Sequence, residues 1–195
     1  MTDRLQAAIA ALDALNRADP NVVPTPTGPR PKELVYAERM SGWLERLAPS
    51  ASEALQLAVR AQHLARWRLP RADFPMDRAG YKAWRKAAGV MHAALAAEVL
   101  AGQGYDAAFC ERVSALIQKR QFKVDPEAQR LEDVACLVFL EFYFADFAAP
   151  HPAEKVIDIV RKTWVKMSEA GQAAALTLPL GPRERALVAE ALGGA

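Results

Sequence analysis

The sequence predicts an all-α fold, a compact multi-helix bundle, and three observations lead to that prediction. Hydrophobic residues make up 52% of the 195 residues and charged residues 25%, a balance typical of globular proteins. Alanine is abundant while Val, Ile and Thr are sparse, which favours helix in almost every segment. Apolar residues recur at helical spacing, and the alternation that indicates strands is nearly absent. We therefore expect about seven to nine helices in a single helical domain spanning residues 1–195.

The N-terminal part of the chain should begin with an amphipathic helix. Residues 3–17 carry an apolar stripe, which predicts an N-terminal helix within residues 1–18. Four prolines and one glycine in the segment NVVPTPTGPRP then predict a proline-rich loop over residues 19–30. Pro31 suits the first turn of a second helix, which should run to Leu47.

The next two helices are predicted from signals at their ends. Ser50, followed three residues later by Glu53, forms a capping-box pattern for a third helix. That helix should end near Arg66, before an irregular segment that contains two prolines. A long fourth helix is expected over residues 79–101, because Gly102 follows it and favours a helix end.

The middle of the chain predicts the central helix of the bundle. Asp106 can cap a fifth helix that reaches roughly Lys119. Asp125 followed by Pro126 is a cap with a first-turn proline, and it opens a further helix. That helix passes through LEDVACLVFLEFYF, a run that is apolar on nearly every side. It should therefore lie at the centre of a core that spans residues 31–147 and contains the candidate site.

The C-terminal part should add helices to this core within residues 151–195. Prolines precede the segment AEKVIDIVRKTWVKMSEA, which has helical periodicity and is expected to form one helix. Gly181 followed by Pro182 should open a short terminal helix.

Cysteine usage and targeting signals indicate the cellular compartment. Cys110 and Cys136 lie within predicted helices and are expected to be small core residues, since no disulfide framework is indicated. No apolar run approaches the roughly 20 residues that a membrane span needs, and the N-terminus lacks a signal-peptide cleavage pattern. We expect a cytoplasmic protein with no membrane contact. The P-loop, GxGxxG, GxSxG and CxxC motifs are absent, so several enzyme classes are not indicated.

A basic segment covers residues 60–86, RAQHLARWRLPRADFPMDRAGYKAWRK. It holds eight basic and two acidic residues, whereas the whole chain carries a net charge of only +2. Such a concentration of positive charge, with aromatic residues interleaved, indicates an anionic partner. Its aspartates and prolines fit a pocket for a small phosphorylated or otherwise anionic ligand better than a groove for nucleic acid. RNA or tRNA binding is the third alternative.

Potential metal ligands occur on four of the predicted helices, where helical spacing directs them toward the interior. Neutral imidazoles together with carboxylates suit one divalent metal of the Mn, Fe or Zn type. Such a metal would polarise a phosphoryl oxygen and lower the pKa of a bound water. The predicted metal ligands are Glu38, His63, His92 and Asp133. The predicted catalytic residues are Asp133, Glu132 and Gln62.

Side chains that could bind the ligand's anionic group lie in and near the basic segment. Guanidinium groups hold phosphate or carboxylate oxygens through paired hydrogen bonds, and binding residues are often found on loops. The predicted substrate-binding residues are Arg66, Arg71, Arg78, Tyr81, Arg85, Lys119 and Gln129. A second interpretation stays open, in which the same arginines, histidines and carboxylates form a structural network in a non-catalytic binding or regulatory module.

Several segments resemble an uncharacterised family catalogued as domain of unknown function 4202. They are AQHLARWRLPR, FPMDRAGYKAWR, the histidine of MHA, QRLEDVACLVFLEFYF and KVIDIVRKTWVKMSE. That family implies no activity. Over residues 31–147, the order and spacing of Glu38, His63, His92 and Asp133 also resemble HD-domain phosphohydrolases, all-α metal enzymes whose ligands come from separate helices. This resemblance implies an HD-like core and metal-dependent hydrolysis, although the adjacent His-Asp pair of that family is absent at His63.

Overall fold

A computed structural model describes residues 3–193, which form ten α-helices and one short two-stranded ribbon. The all-α class predicted from the sequence is confirmed. The helices are α1 (Asp3–Arg17), α2 (Lys32–Leu47), α3 (Glu53–Arg60), α4 (Arg78–Gly102), α5 (Ala107–Ile117), α6 (Pro126–Phe142), α7 (Phe144–Ala148), α8 (Ala153–Trp164), α9 (Glu169–Leu176) and α10 (Pro182–Ala191). The strands are β1 (Val22–Val23) and β2 (Arg30–Pro31), and two 3₁₀ turns cover Arg66–Arg68 and Arg71–Asp73.

The chain divides into two compact units, Met1–Gln121 and Phe122–Ala195. The first unit contains α1 to α5 and the ribbon, and the second contains α6 to α10. The single domain expected over residues 1–195 stays a prediction.

The core of the first unit is formed by the apolar faces of its five helices. Helix α3 packs against α2 and α5, while the long α4 packs along α5 and also contacts α1. Leu12, Met40, Leu57 and Leu100 come from four of these helices and are completely buried. Burial of each such side chain stabilises the fold by roughly 1.5–3 kcal/mol. In the proline-rich loop, β1 and β2 pair antiparallel, with Val22 opposite Pro31.

A buried ion pair joins α3 to α1. Arg60 Nε and Nη2 donate to the two carboxylate oxygens of Asp13, each over 2.7 Å. The third guanidinium nitrogen, Nη1, donates to Ser41 Oγ on α2 at 3.2 Å. The Arg60 and Asp13 side chains are each 11% exposed, so little solvent screens the pair. One cation of the basic segment therefore holds three helices together.

In the second unit, α6 supplies more of the buried apolar side chains than any other helix. Leu131, Val134, Leu137 and Val138 of α6 are completely buried. The same helix packs against α9, and α8 packs against α10. Cys136 is buried and free, and so is its counterpart in the first unit, which confirms both cysteines as core residues.

Two of the predicted helix starts are confirmed by the cap geometry. The Asp106 carboxylate accepts a hydrogen bond from the Phe109 backbone N–H at 2.8 Å and caps α5. Asp125 accepts from the Glu127 N–H at 2.9 Å, and Pro126 occupies the first turn of α6. Each signal is local, because the cap and its partner are two or three residues apart.

Two predictions about α3 are wrong. The cap of α3 is Ser52, whose hydroxyl accepts from the Leu55 N–H at 3.1 Å, and Ser50 lies outside the helix. The helix ends at Arg60 rather than near Arg66, and residues 61–65 form non-helical turns.

The segment AEKVIDIVRKTWVKMSEA also differs from its prediction, because it does not form one helix. Helix α8 ends at Trp164, and a new helix, α9, starts after Ser168. The Ser168 hydroxyl accepts from the Gly171 N–H at 3.2 Å and caps α9. This break raises the number of α-helices within residues 3–193 to ten. In that same part of the chain, no helix is both long and apolar enough to cross a membrane.

Candidate functional site

The candidate site in the first unit is built on the turns that follow α3. The Leu64 carbonyl accepts a hydrogen bond from His92 Nδ1 at 2.7 Å, and the Ala65 N–H donates to Asn16 Oδ1 at 3.0 Å. Side chains from α4 and α1 thus satisfy backbone groups that would otherwise bond within a helix. Ala65 takes a left-handed conformation with φ of 52°, an uncommon one for alanine, and this reverses the chain before Arg66.

His63 lies at the centre of this site and is bonded on both sides of its ring. Its Nε2 contacts Arg66 Nη1, which can only donate, so Nε2 is the acceptor and Nδ1 carries the proton. Nδ1 lies 3.2 Å from Glu33 Oε2, to which it donates. The ring stacks on Tyr36, with 3.8 Å between ring centroids and an angle of 8° between planes. We call Glu33, Tyr36, His63, Arg66 and His92 the His63 cluster.

The ionisation of His63 is governed by its surroundings. Burial is the largest cause that holds its pKa well below the usual value, followed by the positive charge of Arg66. The His92 ring, Lys119 and Arg85 lower the pKa further. The imidazole is therefore neutral near pH 7, in agreement with the protonation that its two partners require.

Glu33 is a buried carboxyl group in the first turn of α2, only 5% exposed. Burial raises its pKa to about 7, although Arg66 and Lys32 act in the opposite direction. Its backbone N–H donates to Asp19 Oδ2 at 2.9 Å, so the charge of Asp19 also raises the pKa. Near neutral pH this carboxyl is therefore partly protonated, and shifted pKa values of this kind are common at functional sites.

Arg66 is a half-buried cation with few partners. Its Nη1 donates to the neutral His63 ring, and its guanidinium lies over the Trp84 ring, with Cζ 4.4 Å from the ring centroid. Within residues 3–193, no carboxylate forms an ion pair or hydrogen bond with this guanidinium. Burial lowers the pKa of Arg66, which reflects the cost of placing the cation here.

His92 is almost completely buried on α4, 2% exposed, and its ring centroid lies 6.1 Å from that of His63. Because the Leu64 carbonyl can only accept, Nδ1 carries the proton and the neutral ring keeps a lone pair on Nε2. Nε2 is buried and has no hydrogen-bond partner among the described residues. Burial lowers the His92 pKa to about 4, so the ring is neutral near pH 7.

Gln62 precedes His63 and was predicted to be catalytic. Its Nε2 donates to the Ile117 carbonyl at 3.2 Å, which joins the turns after α3 to the end of α5. The amide oxygen Oε1 is buried and, within the described part of the chain, has no partner. Two buried acceptors of the first unit, Gln62 Oε1 and His92 Nε2, therefore lack a donor among residues 3–193. Such groups are uncommon in native proteins and call for an explanation.

Three of the predicted substrate-binding residues lie in the loop before α4 or in its first turn. Arg71 donates to the carbonyls of Phe74 and Pro75, at 3.0 and 2.7 Å, and so stabilises the loop before α4. Arg78 is exposed at the first position of α4, and Tyr81 is 45% exposed. The Tyr81 ring centroid lies 5.9 Å from that of Trp84, the ring over which Arg66 lies, and Tyr81 acts on the pKa of Arg66. The predicted role of Arg71, Arg78 and Tyr81 in ligand binding stays a prediction.

Two other predicted substrate-binding residues contribute positive charge near the cluster. Lys119 and Arg85 both lower the pKa of His63, which places their charges close to it. Arg85 lies on the exposed side of α4. Lys119 takes a left-handed conformation with φ of 54°, directly after α5. With Arg66, they give the His63 cluster a positive surrounding potential.

The first of the predicted metal ligands, Glu38, is paired elsewhere. Its two carboxylate oxygens accept from Arg30 at 2.6 and 2.8 Å, and its side chain is 37% exposed. His63 already uses both ring nitrogens. In the described residues, 3–193, no group of three or more His, Cys, Asp or Glu side chains is arranged to hold a metal ion. The contacts of Glu38 and His63 thus give the predicted metal site no support.

The remaining predicted residues, Gln129, Glu132 and Asp133, lie on α6 in the second unit. Asp133 is completely buried and accepts from the Ser168 N–H and hydroxyl at 2.7 and 2.6 Å. Gln129 donates to Asp133 at 3.0 Å and to the Lys166 carbonyl at 2.8 Å. Glu132 lies 3.9 Å from Lys166 Nζ. Inside this unit, the three side chains anchor the start of α9, and their predicted catalytic role stays a prediction.

Sequence reasoning missed two members of the cluster, Glu33 and Tyr36. Glu33 lies four residues before Ala37, which is also buried, so the two residues share one face of α2 and helical spacing could have identified Glu33 as a buried acid. Tyr36 and the backbone acceptor for His92 carry no such signal. Their roles depend on the non-helical turns after α3, which the sequence pattern did not reveal.

Comparison with known proteins gives one match. A family model described as a domain of unknown function (DUF4202) matches residues 6–188. No curated protein and no solved structure matches the chain. The resemblance to HD-domain phosphohydrolases thus finds no support in these comparisons.

Proposed function

This chain belongs to the family described as a domain of unknown function (DUF4202), and we propose that it binds a small phosphorylated or otherwise anionic ligand at the His63 cluster. One observation carries the proposal. Arg66 is a half-buried cation whose hydrogen-bonded partner is a neutral imidazole, with no carboxylate bonded to it among the described residues. Glu33 interacts electrostatically with Arg66 but does not hydrogen-bond to it, so an anionic ligand bonded to the guanidinium would offset more of the cost of removing the cation from water.

The chemistry of the guanidinium group supports this choice of ligand. Arginine presents a planar array of N–H donors that matches the oxygens of phosphate or carboxylate groups. Trp84 restricts the orientation of Arg66 by stacking, and its own indole N–H donates to the Leu69 carbonyl at 2.9 Å. The cation is therefore held in place before any ligand binds, which reduces the entropy lost on binding.

Charges around the cluster favour the same ligand. Lys119 and Arg85 add positive potential at His63. Glu33 is the nearest acid, and because its pKa is about 7, part of its population is neutral at pH 7. An anion that approaches Arg66 is therefore repelled less than it would be by a fully ionised Glu33.

Binding of inorganic phosphate, measured by isothermal titration calorimetry, tests the proposal, with Arg66→Met as the variant. Loss of one charge-assisted hydrogen bond costs about 1.5–3 kcal/mol, so affinity should fall about tenfold or more. Arg68→Met is a matched control, because Arg68 is exposed, lies two residues away and changes the net charge equally. Equal affinities of the two variants, or no binding by the unaltered protein, would refute the proposal.

The structural interpretation predicts a different result. If Glu33, His63 and Arg66 only support the fold, Arg66→Met lowers the free energy of unfolding and no anion stabilises the unaltered protein. Thermal-shift measurements with phosphate, sugar phosphates and nucleotides distinguish anion binding from a purely structural role. A ligand that binds the folded protein raises its stability by about 2.7 kcal/mol at one hundred times its Kd. Polynucleotide binding that weakens steeply with salt and is unaffected by Arg66→Met would instead favour the nucleic-acid alternative.

Metal-dependent hydrolysis is a separate proposal that rests on His92. An imidazole whose Nδ1–H donates to a backbone carbonyl presents Nε2 in the form that binds divalent Mn, Fe or Zn. The proposal requires His63 to exchange its present partners for the metal. Elemental analysis of protein purified without chelator should then find one metal per chain, and its absence, with no stabilisation by added Mn or Zn, would contradict the proposal.

A further inference from the structure

We infer that the ligand presents a hydrogen-bond donor to His92 Nε2, so that the site accepts a protonated phosphate group and discriminates against sulfate. This inference deepens the proposed function and rests on it. Its own evidence is the unpartnered, fully enclosed lone pair of a side chain that is 2% exposed.

The hydrogen-bonding requirements of the cluster are of two kinds. Arg66 offers N–H donors, which need acceptor oxygens. His92 Nε2 is an acceptor without a donor among the described residues, because the Leu64 carbonyl fixes the ring proton on Nδ1. A ligand that satisfies this site must carry both acceptor oxygens and at least one hydrogen to donate.

A phosphate group meets both requirements, whereas sulfate meets one. A phosphate monoester has a second pKa near 6, so near pH 6 about half of it carries a P–OH hydrogen. Sulfate has the same shape and acceptor oxygens but no hydrogen at that pH. Facing His92, a sulfate oxygen would leave the Nε2 lone pair buried without a donor, at a cost of about 1–3 kcal/mol.

The geometry brings the two requirements to one place. Arg66 and His92 both border the His63 ring, the first through a hydrogen bond and the second with ring centroids 6.1 Å apart. The positive charge of Arg66 also lowers the pKa of His92, so the two groups are electrostatic neighbours. A single phosphate can therefore accept from Arg66 and donate to His92.

The inference requires the ligand to reach Nε2 past His63. The His92 ring is enclosed, whereas the neighbouring His63 side chain is 23% exposed and is hydrogen-bonded to the half-buried Arg66. The phosphate takes the place of the His63 ring as the acceptor for Arg66 and thereby reaches His92. Binding thus breaks the bond between Arg66 and His63, and it also frees the Nδ1–H that His63 donates to Glu33.

The test compares inorganic phosphate with sulfate at pH 6 and matched ionic strength, by isothermal titration calorimetry. The unaltered protein should bind phosphate about tenfold or more tightly than sulfate, from the cost of one unpaired buried acceptor. His92→Asn is the informative variant, because its amide N–H can replace Nδ1–H toward the Leu64 carbonyl while the Nε2 acceptor is removed. In this variant the ratio of the two affinities should approach one.

Each outcome decides between the claims. If neither anion binds the unaltered protein, the proposed function fails. If both bind equally, or if His92→Asn keeps the original ratio, anion binding stands and the inference about His92 is overturned. Should His92→Asn fail to fold, nuclear magnetic resonance of the unaltered protein replaces it. Phosphate should then shift the His92 Nε2 resonance, whereas sulfate should not. If phosphate causes no shift, the inference is overturned, and this is the result expected if an internal water is hydrogen-bonded to Nε2.

Discussion

Glu33→Gln should change how the stability of the protein depends on pH. The Glu33 pKa is 4.5 in the unfolded chain and about 7 in the fold, raised chiefly by burial. A raised carboxyl pKa means that the folded protein holds the proton more tightly, so this contribution to stability is present below pH 4.5 and is lost as pH rises through 7. At about 1.4 kcal/mol for each pKa unit, the loss amounts to about 3 kcal/mol.

The contribution of Glu33 to the free energy of unfolding can be measured by urea unfolding at pH 5, 6, 7 and 8. The free energy of unfolding of the unaltered protein should fall, relative to that of Glu33→Gln, by about 2.5 kcal/mol between pH 5 and pH 8, because part of the effect lies below pH 5. Glu45→Gln is the matched control, because Glu45 lies on the same helix and is exposed. A difference between the unaltered protein and Glu33→Gln that stays constant with pH would refute the reasoning.

His92 acts on stability in the opposite direction. Its pKa falls from 6.5 to about 4 on folding, so its contribution is present above pH 6.5 and is lost as pH falls through 4. Because the two groups titrate in overlapping ranges, the unaltered protein alone can show little dependence on pH. The variant comparison is needed to separate them, since Glu33→Gln removes one titration and leaves that of His92.

Three further predictions concern the fold and can be checked by urea unfolding. Gly80→Ala should destabilise the protein by about 1–3 kcal/mol, because a Cβ there would lie 2.0 Å from a backbone oxygen of the preceding loop, whereas Gly89→Ala meets open space and should be neutral or stabilising. Asp13→Ala should cost about 3–5 kcal/mol, because it leaves Arg60 buried without its carboxylate. Asp133→Ala should cost about 2 kcal/mol or more by leaving three hydrogen-bond donors unpaired, and the same stability as the unaltered protein would contradict its anchoring role.

Features that depend on neighbouring residues were predicted well from the sequence. The caps Asp106 and Asp125, the first-turn Pro126 and the extent of α1 all rest on contacts within one or two helical turns. The all-α class follows from composition and periodicity in the same way. All the residues that form such a signal lie within a few positions of one another in the sequence, so the signal can be recognised without knowing the tertiary contacts.

The end of α3 could not be predicted, because its cause lies far away in the sequence. No glycine or proline interrupts residues 61–65, and helical periodicity continues through them. The helix stops because Asn16 binds the Ala65 N–H and His92 binds the Leu64 carbonyl. These contacts link positions 49 and 28 residues apart. Tertiary hydrogen bonds therefore override local helix propensity.

The same distant contacts explain which part of the candidate site was predicted. His63 and His92 were predicted as metal ligands and Arg66 as a substrate-binding residue, because histidines and a basic segment stand out in the composition. The acid that pairs with His63 is Glu33, which was not among the predicted residues. The turn after α3 sets the direction of His63 and so selects its partner.

The central claim, that Arg66 and His92 together bind an anion, is tested most directly by a crystal structure of the protein with phosphate. We predict a phosphate that accepts hydrogen bonds from the Arg66 guanidinium, donates one to His92 Nε2 and displaces the His63 ring. Phosphate bound only at exposed cations such as Arg68 or Lys82, with the bond between His63 and Arg66 intact, would contradict the claim.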